Sequence, residues 1–247
     1  MVHKTVLLQE AIDGLDIKVG EIFFDGTLGG GGHSTLVANT FGKKVKIIAT
    51  DLDTEAIERA TERISKTDSN FKAYNESFRN IDKVLEDGGE KKIDKALFDL
   101  GLSSNQFEDS GRGFTFQKNE PLSMTFRKEV KEGEMTARDI VNDWDEEHIV
   151  DILKGYGEES FAEKIAQKIC EKRLEKPIET TDELVEIVKL ATPNWYQHKK
   201  INPATKTFQA LRITVNDELR SLEEGLRKTF ELLNSHGSYF FVDYIIK

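Results

Sequence analysis

Three aspartates in the first hundred residues each close a short apolar run. Asp25 follows Ile22-Phe23-Phe24, Asp51 follows the stretch from Val45 to Thr50, and Asp99 ends the run that starts at Ile93. Asp25 also opens the segment DGTLGGGGHS, which reaches Ser34. Carboxylates at strand ends beside a glycine-rich turn are the parts of a site for a nucleoside. Glycine lets the backbone approach a ligand and offer it N–H groups, and an acid about 20 residues further on can accept both ribose hydroxyls. Asp51 stands 22 positions after Gly29, and a carboxylate there would repel a 2′-phosphate. Any one of these aspartates alone would be an ordinary turn or cap residue; the three together with the glycine loop favour a nucleoside ligand. The loop does not spell GxGxxG, because Ser34 stands where the third glycine would fall after Gly29 and Gly31. With no evident His–Asp or Tyr–Lys pair besides, a nicotinamide-dependent oxidoreductase is the weaker reading.

The elements that must carry these residues alternate. Strands are predicted over 21–25, 45–50, 71–75 and 93–100, and helices over 34–41, 54–64 and 80–85. Strand–helix alternation implies a parallel sheet covered on both faces, with ligands at the carboxyl ends of the strands. From Ala137 to Leu190 the apolar period is helical, broken at Gly155-Tyr156-Gly157 and at Pro177. Phe208, Leu211, Val215, Leu219, Leu222, Leu226, Phe230 and Leu233 then repeat at steps of three and four, which predicts one long core helix started by Asn202-Pro203. A fifth strand is expected over 238–242.

Composition sets the outer limits. A hydrophobic content of 38% with 32% charged residues is that of a soluble protein, and no apolar run nears the roughly 20 residues of a membrane span. The N-terminus holds no signal-peptide pattern, and the single cysteine, Cys170, excludes an internal disulfide framework. Cys170 shares a helical stripe with Phe161, Ile165, Ile169 and Leu174, the pattern of a small core residue. A reducing cytoplasm fits. No metal site is encoded by ligand spacing. The net charge of −10 argues against a general nucleic-acid coat. Yet the window from Ile187 to Asn216 has no acidic residue and holds Lys189, Lys199, Lys200, Lys206 and Arg212, with Trp195, Tyr196 and Phe208 among them. That window is either an RNA-facing patch with stacking side chains or a solvated surface whose aromatics belong to the core.

Several motifs in fixed order make the reading specific. DGTLGGGGHS, DLGLSSNQ (Asp99 to Gln106), GRGFTF (Gly111 to Phe116) and NPATKTFQALRITVNDEL (Asn202 to Leu219) stand with the opening HKTVLLQEAIDGL and with YGEESFAEKIAQKI. Over nearly its whole length the chain resembles the bacterial RsmH (MraW) family, S-adenosylmethionine-dependent methyltransferases acting on cytosine N4 in the decoding region of small-subunit (16S) ribosomal RNA. The resemblance implies an α/β, class I (Rossmann-like) methyltransferase fold with an inserted helical domain. Residues 1–106 plus 203–247 would form the methyltransferase domain, and residues 107–202 the inserted, mainly helical substrate-recognition domain. Carried over by position, the contacts to S-adenosyl-L-methionine would be Gly31, Gly32, His33, Asp51, Phe78, Asp99 and Gln106. The loop amides would take the methionine carboxylate, Asp51 the ribose, and Phe78 the adenine; His33 would serve either the ligand or the fold. Arg112, Lys199, Lys200, Lys206 and Arg212 would hold the RNA. The partner is the ribosomal RNA or the assembled small subunit, with no membrane involved, and a homodimer is compatible with the sequence.

The implied reaction moves a methyl group in line from a sulfonium sulfur to an exocyclic amine. Cytosine N4 is a poor nucleophile because its lone pair is delocalised into the ring, so the site must supply an acceptor for the amine's N–H. Asp99 is the leading candidate, with the groups around Ser103-Ser104 beside it, acting on a base presented unpaired or flipped. The resemblance breaks at three places. Leu122-Ser123-Met124-Thr125-Phe126 lacks the Asp and Arg of the family's LDMRM-like run, Asn105 replaces a proline, and the FHSLEDR-like segment expected after the fifth strand is not found. These breaks leave a second reading, a catalytically impaired S-adenosylmethionine-binding homologue with an assembly or regulatory role.

Overall fold

Strand alternation in the first hundred residues becomes a five-stranded, wholly parallel sheet in the order β3-β2-β1-β4-β5. The computed structural model describes residues 7–101, 107, 110–130 and 132–243. Its two compact units are Met1–Ser103 with Leu219–Lys247, and Ser104–Glu218.

The first unit is built as α1 (Leu8–Leu15), β1 (Ile22–Asp25), α2 (Gly32–Phe41), β2 (Lys46–Thr50), α3 (Thr54–Ile64), β3 (Asn70–Tyr74), a 3-10 turn (Phe78–Asn80), α4 (Ile81–Asp87) and β4 (Ile93–Leu100). Most of α11 (Glu218–Leu232) and then β5 (Leu233–Asp243) complete it. From β1 the chain steps outward through β2 and β3, then returns to place β4 and β5 on the other side. The order reverses between β1 and β4, the place where such sheets bind ligands. The central strands are nearly continuous in apolar residues because both faces are covered. Phe23, Phe24, Ile47, Leu97 and Phe98 are each fully buried, and such side chains contribute about 1.5–3 kcal/mol apiece. Phe23, Ile47 and Leu97 pack with Ala11, Ile12 and Leu15 of α1 and Val37 of α2. Leu28, Ala49 and Ala60 form a second cluster.

The second unit is mainly helical, with α5 (Ala137–Asp143), α6 (Glu146–Gly155), α7 (Ala162–Arg173), α8 (Thr181–Ala191), α9 (Asn194–Gln197) and α10 (Thr205–Val215). Thr136 starts α5 with a capping box closed by Asp139. Ile140, Ile149, Leu153, Ile165, Leu184, Val188 and Leu211 are buried.

Four expectations change. The long helix predicted from Phe208 to Leu233 is two helices, because Asp217 takes φ 48° and Asn216 turns its side chain back onto the chain. Phe230 and Leu219, placed on its buried stripe, are 72% and 41% exposed. Residues 203–218 cluster with the helical unit, in which the buried Phe208 of α10 packs edge-on to Phe116. β5 begins five residues earlier than expected, at Leu233. Leu174 is 86% exposed and Cys170 half-buried, so the core stripe of α7 ends at Ile169. Among the described residues no helix is long and apolar enough to cross a membrane.

Candidate functional site

The glycine loop between β1 and α2 is tied to the ends of β2 and β4 by its own backbone and by the strand-end acids. Gly26 N–H donates to Leu97 O at 2.9 Å, and Leu28 N–H to Thr50 O at 3.0 Å. Thr50 Oγ1 donates to Gly26 O at 2.9 Å, and the Asp99 N–H donates to Thr27 Oγ1 at 2.6 Å. Asp51 accepts from Gly29 N–H at 2.7 Å and from Asp53 N–H at 2.8 Å, which fixes the loop and the start of α3 at once. Asp25, 1% exposed, accepts from Ser34 Oγ at 2.6 Å and from Thr27 N–H at 3.2 Å. Burial pushes the Asp25 carboxyl up to about 6, against the pull of Ser34 and Thr27. Desolvation likewise pushes Asp51 up to about 6, opposed by the Asp53 and Gly29 amides and reinforced by the charges of Asp53 and Asp25.

Gly31 sits at φ 71°, and a Cβ there would stand 2.7 Å from the Ala60 Cβ. Only glycine allows both the left-handed turn and this approach of α3. Gly31 precedes Gly32, the first residue of α2, and no side chain caps that helix, so its first amides face the loop. Among the described residues, no heavy atom beyond its chain neighbours lies within 4 Å of where a Cβ on Gly30 would stand. His33, 4% exposed, places Nδ1 4.0 Å from Asp99 Oδ2, an electrostatic separation too long for a hydrogen bond. The half-buried Phe78 ring meets Phe98 edge-on at 5.5 Å. On α11, a Cβ added to Gly225 would reach within 2.5 Å of Phe78 Cδ2. The structure thus gathers Gly31, Gly32, His33, Asp51, Phe78 and Asp99 in the first unit. Gln106 and Ser103-Ser104 lie outside the described residues.

The sequence did not single out Thr27, Ser34, Asn75 or Gly225. Thr27 and Ser34 were inside the glycine motif, where their hydroxyls had no assigned role. Asn75, just after β3, donates to Asp51 O at 3.1 Å and Leu52 O at 2.9 Å, bracing the same turn.

In the second unit the five basic residues divide. Arg112, 9% exposed, donates through Nη1 to Phe126 O at 2.6 Å and lies 5.6 Å from the Phe114 ring. Arg212 grips Glu218 with two bonds, 2.7 and 3.1 Å long, in a pair whose side chains are 13% and 6% exposed. Each of these two arginines is engaged by a protein acceptor of its own unit. Lys206 is half-buried and donates to Glu158 O at 2.6 Å. Lys199 and Lys200 are exposed. The divergent run Leu122 to Phe126 is held by Asn216, whose amide donates to Met124 O at 2.8 Å and accepts from Phe126 N–H at 2.8 Å. Its Leu122 and Met124 are buried, so the run is well packed without the family's Asp and Arg. Among the described residues no His, Cys, Asp and Glu cluster is arranged to hold a metal.

A Clostridium botulinum (strain Kyoto / Type A2) protein named ribosomal RNA small subunit methyltransferase H is 43% identical over 235 residues, covering 95% of this chain and 74% of that protein. A Brevibacillus brevis protein of the same name is 41% identical over the same shares. Among solved structures, an rRNA methylase from Streptococcus thermophilus is 23% identical with a TM-score of 0.33, covering 41% of this chain and 57% of that one. TrmN from Thermus thermophilus is 22% identical with a TM-score of 0.33, covering 39% of this chain and 28% of that one. The model of the MraW methylase family matches residues 1–245, and the chain belongs to that family.

Proposed function

We propose that this chain methylates N4 of a cytosine in the decoding region of 16S ribosomal RNA, drawing the methyl group from S-adenosylmethionine in the cytoplasm. The observation that carries the cofactor reading is the latched glycine loop, with the space over Gly30 clear of the other described residues and the uncapped start of α2 beside it. Its donor set fits the ligand. Backbone N–H groups at Gly32 and His33 suit the methionine carboxylate, while the Gly31 N–H is spent on Leu28 O at 2.7 Å and shapes the loop. A carboxylate offers about four acceptor positions, so Asp51 keeps capacity for two ribose hydroxyls beyond its two backbone bonds. Phe78 supplies an apolar wall for the adenine, and Gln106 a polar contact.

When bound, S-adenosylmethionine supplies an electrophilic methyl on a sulfonium centre. Asp99 stands at the end of β4, beside the point where the sheet order reverses, with its side chain 25% exposed. It accepts the N–H of the target amine, draws the nitrogen out of conjugation and takes up the proton released as the N–C bond forms and the S–C bond breaks. His33 stands beside it, with Nδ1 4.0 Å from Asp99 Oδ2. The helical unit acts as the substrate-recognition domain, with Lys199, Lys200 and Lys206 the cations left for RNA phosphates. The substrate is presented either as free ribosomal RNA or within the assembled small subunit, and the enzyme acts as a monomer or a homodimer.

The test is incubation with methyl-labelled cofactor and unmethylated 16S RNA or small subunits, followed by mass mapping of the modified base. The expected product is N4-methylcytosine at one decoding-region position. Calorimetric binding of S-adenosylhomocysteine with no label in RNA would establish the cofactor-binding homologue instead.

A further inference from the structure

Trp195 and Tyr196 are adjacent on α9 and have opposite fates. Tyr196 is 6% exposed, and its hydroxyl donates to the Glu159 carboxylate at 2.8 and 3.0 Å. Glu159, itself 3% exposed, also accepts from Phe161 N–H at 2.9 Å. Gln197, one residue on, donates to Lys189 O at 2.7 Å and to Thr192 O at 2.9 Å. The turn is therefore pinned at Tyr196 and at Gln197. Trp195, by contrast, is 62% exposed. Its ring is braced edge-on by Phe161 at 5.9 Å and by Tyr196 at 5.8 Å.

An aromatic ring held rigidly in water loses little freedom when a partner covers it, which is the property of a recognition anchor. The charge around it selects the partner. Lys199 Nζ lies 5.1 Å from the Trp195 ring and 4.6 Å from the Tyr196 ring, Lys164 lies 5.9 Å from Phe161, and Lys200 is exposed. From Ile187 to Asn216 the sequence offers no carboxylate to compete, in a chain whose net charge is −10. Cations beside an exposed π-face match an unpaired base with its flanking phosphates, whereas a duplex shields its base faces.

We propose that Trp195 is a stacking platform for an unpaired base of the RNA substrate, with Lys199 and Lys200 taking the adjacent phosphates. This rests on the reading of the chain as an RNA methyltransferase and names how its helical unit recognises the strand.

Trp144 and Trp195 are the two tryptophans, so a Trp144→Phe protein carries Trp195 as its sole indole reporter. Titration of this full-length variant with an unstructured oligocytidine should quench its fluorescence, and an RNA duplex of equal length should not. Trp195→Ala should weaken oligocytidine binding roughly tenfold, the usual worth of one stacked base, while Trp195→Phe recovers part of it. Lys199→Gln and Lys200→Gln should each lower the salt slope of binding by about one. S-adenosylhomocysteine affinity reports that the variants are folded. Equal quenching by duplex, unchanged RNA affinity in both Trp195 variants, or quenching only by RNA-free ribosomal proteins would each overturn the proposal. None of these readouts needs methyl transfer, so failure of the platform and failure of the methyltransferase reading remain distinguishable.

Discussion

The acids at the ligand edge of the sheet and the acids on the surface of the helical unit are shifted in opposite directions. Burial raises Asp25 and Asp51. On the helices, Lys154 beside Glu163, Arg138 beside Glu179 and Lys176 beside Glu183 hold those carboxyls below their usual range. The first group is satisfied by backbone amides and a hydroxyl; the second is paired ion to ion in water. Surface pairs of that kind contribute little. The difference separates a preorganised ligand site, whose acids are kept ready to accept hydrogen bonds, from a solvated scaffold. Charge that matters in the helical unit is either buried, as in Arg212–Glu218, or set beside an exposed ring, as Lys199 is at Trp195.

Removing a buried ion should break this contrast most severely. Arg212→Ala leaves Glu218 uncompensated, and losing one partner of a buried pair costs about 3–5 kcal/mol. Burial already raises Glu218, opposed by Arg212. Without the guanidinium the carboxyl rises further, so the variant's deficit should be smallest at low pH and grow as pH rises through the new value. Urea denaturation at several pH values measures this. An Arg212 variant of wild-type stability that loses only RNA affinity would return that residue to phosphate binding.

Asp99→Asn tests the sheet edge itself. The amide keeps the size of the side chain but cannot take up a proton, so methyl transfer should fall by about 100-fold or more. The Asp99 backbone bond to Thr27 is untouched by the change, so cofactor affinity should move much less. Single-turnover transfer and calorimetry separate the two. Full turnover with normal cofactor binding would remove Asp99 from the chemistry.

The ligand edge was legible in the sequence because its parts are local. Glycines, a strand-end acid and the next acid lie within one strand–turn–helix unit, and their types carry the geometry. That Arg212 is ion-paired went unforeseen for the opposite reason. Its partner Glu218 lies six residues on, past the turn at Asn216-Asp217, and the apolar period runs through that turn without a break. Asn-Asp inside a periodic stretch was the signal available, since both residues tolerate left-handed backbone. The exposed Trp195 and buried Tyr196 could not be told apart because Glu159, which decides the matter, is distant in sequence. Helix α1 went unassigned because its buried stripe is only Ala11, Ile12 and Leu15.

The raised acids predict a pH dependence of stated sign. Unfolded, Asp25 titrates near 3.8; folded, it titrates near 6. Its contribution to stability is therefore fully present below pH 4 and is lost as pH rises through 6, by about 3 kcal/mol for two pKa units. Asp25→Asn holds a neutral acceptor at every pH. Wild-type stability minus that of Asp25→Asn should therefore decline between pH 4 and 7 in denaturant melts. A difference flat across that range would mean that the buried carboxyl titrates as if in water. Asp51 carries the same sign and is still present in the variant, so part of the wild-type slope should survive the substitution.

Gly225→Ala probes, from behind, the Phe78 ring proposed as the adenine wall. In the interior of α11, alanine favours the helix over glycine by about 1 kcal/mol. The new Cβ would stand 2.5 Å from Phe78 Cδ2, and Phe98 already packs against the other part of that ring. The Phe78 ring must then shift, away from α11. Stability should change little, because the helical gain offsets the repacking. Affinity for S-adenosylhomocysteine should fall about tenfold, the equivalent of about 1.4 kcal/mol, because the adenine wall has moved. Calorimetry alongside thermal denaturation distinguishes the outcomes. A loss of stability with unchanged affinity would make Phe78 a core residue of the sheet unit and leave the adenine to other contacts.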